Sequence, residues 1–173
     1  MKEISYKELS FNPMTLVGDD WLVLCAGNEE EYNGMTISWG HMGTIWHDAN
    51  RKYQLPTVCV YVRPQRYTKK FMDEEEYFTV NLLSKENRKA HGVFGNESGK
   101  DGNKFEKTGL HPEFSDGTIH IQEAEMVFVC RKVFTQDLKE EGFVDKNIVD
   151  VDYPEKDFHT MYIGEITKVL VKE

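Results

Sequence analysis

The chain has 173 residues, which is enough for one domain with a buried core. Hydrophobic residues make up 39% and charged residues 29%, a balance typical of a globular protein rather than of a disordered one. The formal net charge of −9 argues against broad binding to nucleic acid or to an anionic membrane, because such binding needs a basic face. A local cluster of basic residues in this chain therefore indicates a site for an anionic ligand.

Short runs of β-branched and aromatic residues predict the strands of the fold. In chain order, the predicted strands are Trp21–Ala26, Met35–Trp39, Thr57–Val62, Phe78–Leu83, Glu125–Val133 and Met161–Val171. Gly164 interrupts the last strand, and we expect a bulge there. Helical spacing predicts helices over Thr68–Glu75 and Lys85–Phe94, and the segment NKFEKTG predicts a short helix that ends at Gly109.

Many strands and few short helices predict a mainly-β fold, a barrel with peripheral helices. No repeat or linker divides the chain, so we expect a single domain over residues 1–173. No G-x-G-x-x-G segment follows a predicted strand, which argues against a Rossmann dinucleotide site. A ligand that contains phosphate would have to be held in another way.

The N-terminal segment, MKEISYKELSFNP, has no continuous apolar stretch, and no apolar run in the chain is long enough to cross a bilayer. We therefore expect a cytoplasmic protein. The three cysteines, Cys25, Cys59 and Cys130, are far apart and lie in strand-like runs without a C-x-x-C pair. We interpret them as buried, reduced thiols.

Positive charge and hydroxyl groups are concentrated where the third predicted strand ends, in RPQRYTKKF, residues 63–71. Thr68 can cap the helix that follows, and a helix start favours an anion. Arg63 or Arg66 would add the bidentate donors that suit a phosphate. These features indicate a pocket for one phosphate monoester. The alternative is a solvated turn whose arginines pair with the acidic run at residues 73–76.

The segment NGMTISWGHMGTIW, residues 33–46, combines small hydroxyl residues and glycines with large apolar side chains. Thr36 and Ser38 would let a planar group come close to the backbone, while Met35 and Trp39 would supply apolar walls. Pockets for aromatic heterocycles have this mixture of many apolar groups and a few donors. The alternative interpretation is a hairpin strand with glycine-rich turns.

The segment GNESGKDGNKFEKTGL, residues 95–110, is rich in glycine but lacks the spacing of a phosphate-binding P-loop, and Lys100 is followed by aspartate. We interpret it as a flexible loop that leads to a short helix presenting Lys104 and Phe105. The alternative is an ordinary surface loop.

The six histidines show no i, i+4 pair and no H-E-x-x-H, so no metal site is predicted. The segment NESGK is not the G-x-S-x-G elbow of a serine hydrolase. Among the histidines His159 is distinctive, because it precedes the last predicted strand and lies among the carboxylates Glu155 and Asp157. Chance placement and function remain equal alternatives for this residue.

Taken together and in order, seven segments resemble the flavin reductase-like family, also called flavoredoxin-like, of the FMN-binding split barrel fold. The segments are NPMTLVGDDWLVLCAG, YNGMTISWGHMGTIW, VYVRPQRYTKKF, YFTVNLL, SGKDGNKFEKTGL, EAEMVFVCRKVF and DFHTMYIGEITKVLVK. The resemblance implies a six-stranded split barrel of Greek-key type that forms a homodimer. It also implies FMN bound noncovalently near the subunit interface.

The resemblance further implies a set of site residues, carried over position by position. The flavin site would include Asn33, Met35, Thr36, Ser38 and Trp39, and the ribityl phosphate would lie near Arg63, Arg66, Tyr67 and Thr68. Cofactor-binding roles would also fall to Asn81, Lys104 and Phe105. His159 or Lys104 would stabilise the reduced flavin as the catalytic residue.

Two departures from the family pattern affect the rim of this site. The link HDANRKYQLP is longer than usual, and the glycine loop lacks an arginine and an aspartate that are common there. The implied activity is hydride transfer from NAD(P)H to bound FMN and onward to flavin, a ferric complex or a protein partner. Two alternatives remain: an electron carrier without significant NAD(P)H activity, and a noncatalytic flavin-binding barrel.

Overall fold

A computed structural model describes the whole chain, from Met1 to Glu173. Its ten strands are β1 (Lys2–Ile4), β2 (Leu22–Gly27), β3 (Tyr32–Ile37), β4 (Gly40–His47), β5 (Gln54–Val62), β6 (Tyr77–Leu82), β7 (Pro112–Ser115), β8 (Thr118–Ile121), β9 (Met126–Asp137) and β10 (Thr160–Val171). Its helices are α1 (Pro13–Thr15), which continues into a π-helical turn (Leu16–Asp20), α2 (Thr68–Glu74), α3 (Ala90–Asn96), α4 (Lys104–Thr108) and α5 (Lys146–Asp152). Short 3₁₀ turns occur at Tyr6–Glu8, Gly99–Asp101 and Glu140–Gly142.

Eight strands form one antiparallel sheet. Hydrogen-bonded neighbours follow the order β3-β2-β6-β9-β10-β5-β4, and β1 pairs with β10, while β7 and β8 form a separate hairpin. The two ends of this order, β3 and β4, are joined by Ser38 and Trp39 alone. Three Cα–Cα steps span at most about 11 Å, so the sheet must curl until its two edges come close. The edges do not pair with each other, which leaves the barrel split between them.

The strand β2 is buried on both of its faces. Leu22, Leu24 and Ala26 point into a cluster of apolar side chains that includes Phe71 and Met72 of α2. The alternate residues of β2 point into a second cluster, which α3, α4 and the β7–β8 hairpin cover. Side chains of a strand alternate between its faces, so an unbroken apolar run indicates a strand with a core on each side.

The mainly-β prediction is confirmed, and the six predicted strands match β2, β3, β5, β6, β9 and β10 within a few residues. The predicted bulge is also confirmed, because the pairing of β10 with β9 shifts register between Ile163 and Gly164. The helix predicted from Lys85 begins only at Ala90. The sheet has eight strands instead of six, since β1 and β4 were not predicted. Helix α4 ends as expected at Gly109, which has φ of 70°.

All three cysteines are free thiols, and Cys25 and Cys130 are buried as predicted, whereas Cys59 is partly exposed. No helix in the structure is long and apolar enough to span a membrane.

Candidate ligand-binding groove

Two cavities adjoin at the end of the sheet where β5 runs into α2. The first, here called the polar cavity, has a volume of about 370 Å³ and is lined mostly by charged, hydroxyl and amide side chains. The second, here called the aromatic cavity, has a volume of about 240 Å³ and includes Trp39, Tyr61 and His159. Met35, Arg63 and Arg66 line both cavities, so the two form one groove with a charged end and an aromatic end.

Helix α2 begins at Thr68 itself, one residue earlier than a Thr68 cap would require. Tyr67 precedes the helix without a capping hydrogen bond from its side chain, so the prediction that Thr68 is the N-cap is wrong. The Thr68 hydroxyl instead accepts a hydrogen bond of 2.9 Å from Asn33 Nδ2, which ties β3 to the start of α2. Because α2 has only seven residues, the positive charge of the groove comes mainly from side chains.

Arg63 is fixed in place by the segment that precedes β10. One nitrogen of its guanidinium lies 2.5 Å from a carboxylate oxygen of Asp157, and the other donates to the backbone oxygen of Asp152 at 2.7 Å. Hydrogen bonds from Gln65 and Arg63 lower the pKa of Asp157 below its usual range. The alternative that the arginines pair with residues 73–76 is therefore wrong for Arg63.

Arg66 retains donors that a ligand can use. Its Nη1 donates to the backbone oxygen of Gly95 at 2.6 Å. A guanidinium carries five N–H donors in a fixed fork, so most of them remain for a bound anion. The contact with Gly95 also joins the arginine to the end of α3, and thereby to the glycine loop.

Lys104 lies at the inner wall of the polar cavity and is almost fully buried. Its Nζ donates to the backbone oxygens of Gly34 at 3.0 Å and Phe94 at 3.1 Å. Burial, followed by the charge of Arg66, lowers the pKa of Lys104 to about 8. The amine is still mainly protonated at pH 7, and one of its three donors is left for a ligand.

The glycine loop contributes to the polar cavity through Asn96, Glu97 and Ser98. At Gly99 the loop passes so close to the site that a Cβ would lie 2.4 Å from Asn33 Oδ1 and 2.7 Å from a ring carbon of Tyr67. Only glycine fits this approach without a shift of its neighbours. The loop is therefore packed onto the candidate site and is not a detached surface loop.

The aromatic cavity is built around His159. Its ring lies 4.9 Å from the ring of Trp39, and its Nδ1 lies 2.7 Å from the hydroxyl of Tyr153. Burial, and then the charge of Arg63, lowers the pKa of His159 to about 4. The imidazole is therefore neutral at pH 7. Thr36 and Ser38 complete this wall, and the Thr36 hydroxyl donates to the backbone oxygen of His91 at 2.9 Å.

The structure does not bring Asn81 or Phe105 to the groove, although the resemblance implied that both bind the cofactor. Asn81 is fully buried in β6, where its side chain donates to Val23 and accepts from the backbone N–H of Ile121. Phe105 packs in the second core, with its ring 5.3 Å from that of Phe94. We interpret both as structural residues.

Tyr61, Tyr153 and Asp157 were not among the expected site residues. Tyr61 lies in β5 only two residues before Arg63, so the alternation of the strand could have indicated that it faces the same side. The contacts of Tyr153 with His159 and of Asp157 with Arg63 join parts of the chain that no local pattern connects. Neither contact could have been read from spacing.

The titration of His159 provides a test of this geometry. We expect its ring to become protonated with a midpoint near pH 4, well below the reference histidine value of about 6.5. Because the folded chain favours the neutral ring, the stability that this residue contributes is complete above pH 6.5 and declines as the pH falls towards 4. Nitrogen-detected NMR of labelled histidine measures the midpoint, and His159→Gln identifies the signal. A midpoint near 6.5 would contradict the burial described here.

A family model for the flavin reductase-like domain matches residues 50–173, which is more than half of the chain. The chain belongs to the flavin reductase-like family. The matched residues include the segment from Arg63 to Thr68, Lys104 and His159, while β2, β3 and β4 precede them. A search of curated proteins found no match.

Solved structures resemble this flavin reductase-like chain over most of its length. A flavoredoxin from Methanosarcina acetivorans has 21% identity and a TM-score of 0.64, with 100% of this chain and 76% of that chain covered. The flavoredoxin of Desulfovibrio vulgaris (Miyazaki F) has 18% identity and a TM-score of 0.65, covering 100% and 77%. A structure from Shewanella frigidimarina, described as a flavin reductase with a split barrel domain, has 20% identity and a TM-score of 0.65, covering 89% and 67%. The split barrel expectation is confirmed.

Proposed function

We propose that the chain binds FMN noncovalently in the groove, with the phosphate in the polar cavity and the flavin ring in the aromatic cavity. The observation that carries the proposal is the asymmetry of the groove, which has guanidinium, ammonium and hydroxyl donors at one end and aromatic rings at the other. The combined size also suits a cofactor, because small-molecule sites commonly enclose about 300–1,000 Å³.

The donors at the polar end fit a phosphate monoester. Arg63, Arg66 and Lys104 supply three positive charges, and Glu97 is the one carboxylate in the lining. Glu97 is paired with Lys107 at 2.6 Å, which offsets its charge. Hydrogen bonds from charged donors to phosphate are shorter and stronger than neutral ones. In this proposal, Arg66 and Lys104 hold the phosphate, and the ion pair with Asp157 keeps Arg63 at the junction between the two cavities.

At the aromatic end, His159 would act as a neutral hydrogen-bond donor. In this proposal, Nδ1, which lies 2.7 Å from the Tyr153 hydroxyl, accepts its hydrogen, and Nε2 carries the proton that would be donated to the polar edge of the flavin ring. Lys104 lines only the polar cavity of the two, so His159 is the better candidate for contact with the ring. Bound FMN would supply the redox chemistry, while these residues bind it, orient it and tune it.

We further propose an oxidoreductase that takes hydride from NAD(P)H and passes electrons to flavin, a ferric complex or a protein. One observation favours the second candidate, an electron carrier reduced by a partner protein. A further cavity, of about 620 Å³ and open to solvent, lies beside Trp39 on the outer side of the aromatic cavity, and no lysine or arginine lines it that could hold the phosphates of a dinucleotide. In both cases residues 1–173 would form one domain, since β1 to β4 belong to the same sheet as the strands that the family model matches.

The test of this proposal has two stages. We expect the purified protein to bind FMN more tightly than riboflavin, because riboflavin lacks the phosphate that Arg66 and Lys104 would hold. Equal affinity for the two would remove the argument for a phosphate site.

Anaerobic mixing of the FMN-loaded protein with NADH or NADPH, followed by measurement of flavin absorbance, then distinguishes the reductase from the electron carrier. Rapid bleaching supports the reductase, and bleaching only with a reduced protein donor supports the carrier.

A homodimer is also part of the proposal, with an interface at the end of the β4–β5 hairpin away from the groove, whereas the resemblance implied an interface beside FMN. Large exposed side chains surround the far end of the β4–β5 hairpin, namely Ile45, Trp46, Tyr53 and Phe134. The rings of Trp46 and Phe134 lie 5.8 Å apart. Exposed apolar groups of this kind mark interaction surfaces. We expect sedimentation equilibrium to give twice the chain mass of 20.2 kDa, and Trp46→Glu to shift the protein towards the monomer. A wild-type monomer at micromolar concentration would contradict the homodimer.

A further inference from the structure

A third cavity lies against the aromatic cavity and opens to solvent. Its volume is about 620 Å³, and it shares Ser38, Trp39 and Tyr61 with the aromatic cavity. Met14 from α1 and Tyr153 from the segment before β10 lie on its other sides. We call it the outer cavity. The short link between β3 and β4 thus forms a wall common to both cavities.

The chemistry of the outer cavity differs from that of the groove. No lysine, arginine, aspartate or glutamate is among its lining residues, whereas the polar cavity has three cations. Large apolar surfaces face the opening, since Trp39 is 43% exposed and Met14 is 79% exposed. Burying an unpaired ion against such a surface costs free energy. A flat apolar molecule gains free energy when its rings pack against the same surface.

A few polar groups in the lining can orient such a molecule. The Tyr61 hydroxyl lies 3.4 Å from His41 Nδ1, and Ser38 adds a second hydroxyl. Burial raises the pKa of Tyr61, so its hydroxyl keeps its proton at neutral pH, and it would turn from Met161 Sδ, 3.8 Å away, to donate to a ligand. Hydroxyl donors on an apolar wall match the carbonyl oxygens of a planar, uncharged ring.

We propose that the outer cavity binds an uncharged, planar aromatic carbonyl compound of the quinone class, which serves as the electron acceptor. The redox role rests on the proposed function, because the electrons must come from FMN in the adjoining cavity. The overall reaction converts NAD(P)H, one proton and a quinone into NAD(P)⁺ and a hydroquinone. The binding of the ring to the outer cavity does not depend on FMN and can be measured by itself.

The test compares two probes that differ in charge, 2-(hydroxymethyl)anthraquinone and anthraquinone-2-carboxylate. Equilibrium dialysis against the wild-type protein, with and without FMN, should show the uncharged probe bound about 10-fold more tightly, or about 1.4 kcal/mol. Trp39→Ala should weaken its binding by a similar factor, because the aromatic wall is lost.

A matched pair of exposed substitutions locates the probe. Met14→Glu places a charge at the outer cavity, while Val151→Glu places the same charge in α5, at a residue that is 76% exposed and outside the cavity. We expect Met14→Glu to weaken binding of the uncharged probe at least about 5-fold, or about 1 kcal/mol, and Val151→Glu to leave it unchanged.

Three results would overturn the inference: equal affinity for both probes, equal effects of the two glutamate variants, or displacement of the probe by FMN, which would place it in the aromatic cavity. Probe binding without any FMN binding would instead contradict the proposed function and leave the outer cavity as a ligand site. FMN binding without probe binding would contradict only the inference about the outer cavity.

Discussion

Replacing Arg66 with alanine should weaken FMN binding by about 10- to 150-fold, which corresponds to roughly 1.5–3 kcal/mol for one charge-assisted contact. Arg66 lines both cavities of the groove and uses one nitrogen on the backbone oxygen of Gly95, so its remaining donors are free for a phosphate. The loss should be much smaller for riboflavin, which offers no phosphate. Flavin fluorescence titration of FMN and riboflavin measures both affinities.

Arg88→Ala is the matched control for this experiment. Arg88 is also an arginine that donates to one backbone oxygen, that of Asp19 at 2.8 Å, but it lies on the surface outside the groove. We expect this variant to bind FMN as the wild type does, and both variants to unfold at similar denaturant concentrations. An FMN dissociation constant that is unchanged by Arg66→Ala would refute the assignment of the polar cavity to the phosphate.

Replacing Gly164 with alanine should destabilise the fold by about 1–3 kcal/mol, since the new methyl group has no space. A Cβ at Gly164 would lie 2.5 and 2.7 Å from two ring carbons of Phe78 and 2.8 Å from Cβ of Cys130. Both neighbours are completely buried, so neither can move away easily. Urea denaturation followed by circular dichroism measures the free energy of unfolding.

Gly43→Ala is the corresponding control, because Gly43 is also a strand glycine. A Cβ at Gly43 would meet no atom within 4 Å, so we expect no loss of stability and even a gain of about 0.4–1 kcal/mol from the less flexible unfolded chain. Similar losses in both variants would show that strand propensity at these positions matters more than the contact with Phe78.

Most of the barrel could be predicted because its strands are buried and their apolar runs are unbroken, as in β2. Strand β4 was missed because its side chains are mainly exposed and two glycines interrupt it, so neither composition nor alternation indicates a strand. The strand forms through its pairing with β5. That pairing is a tertiary contact, and a local pattern does not contain it.

The basic end of the groove could be predicted because Arg63, Arg66, Tyr67 and Thr68 are close in sequence. Only the resemblance to the family indicated that Lys104 and His159 belong to the same site, because each comes from a distant part of the chain. The resemblance alone implied that Asn81 binds the cofactor, whereas its amide makes hydrogen bonds inside the sheet. The neutral state of His159 could not have been foreseen, since it follows from burial beside Trp39 and from the charge of Arg63.

The strand with a core on each face has a consequence for how the protein opens. Losing β2 from the sheet would expose both apolar clusters at once, so neither core can come apart while the other stays intact. Amide hydrogens of β2 should consequently exchange with solvent only by global unfolding, at one common rate with those of β6 beside it. Amides of β1, which pairs on one side alone, should exchange sooner by fraying. The cavities therefore keep their shape until the sheet as a whole unfolds.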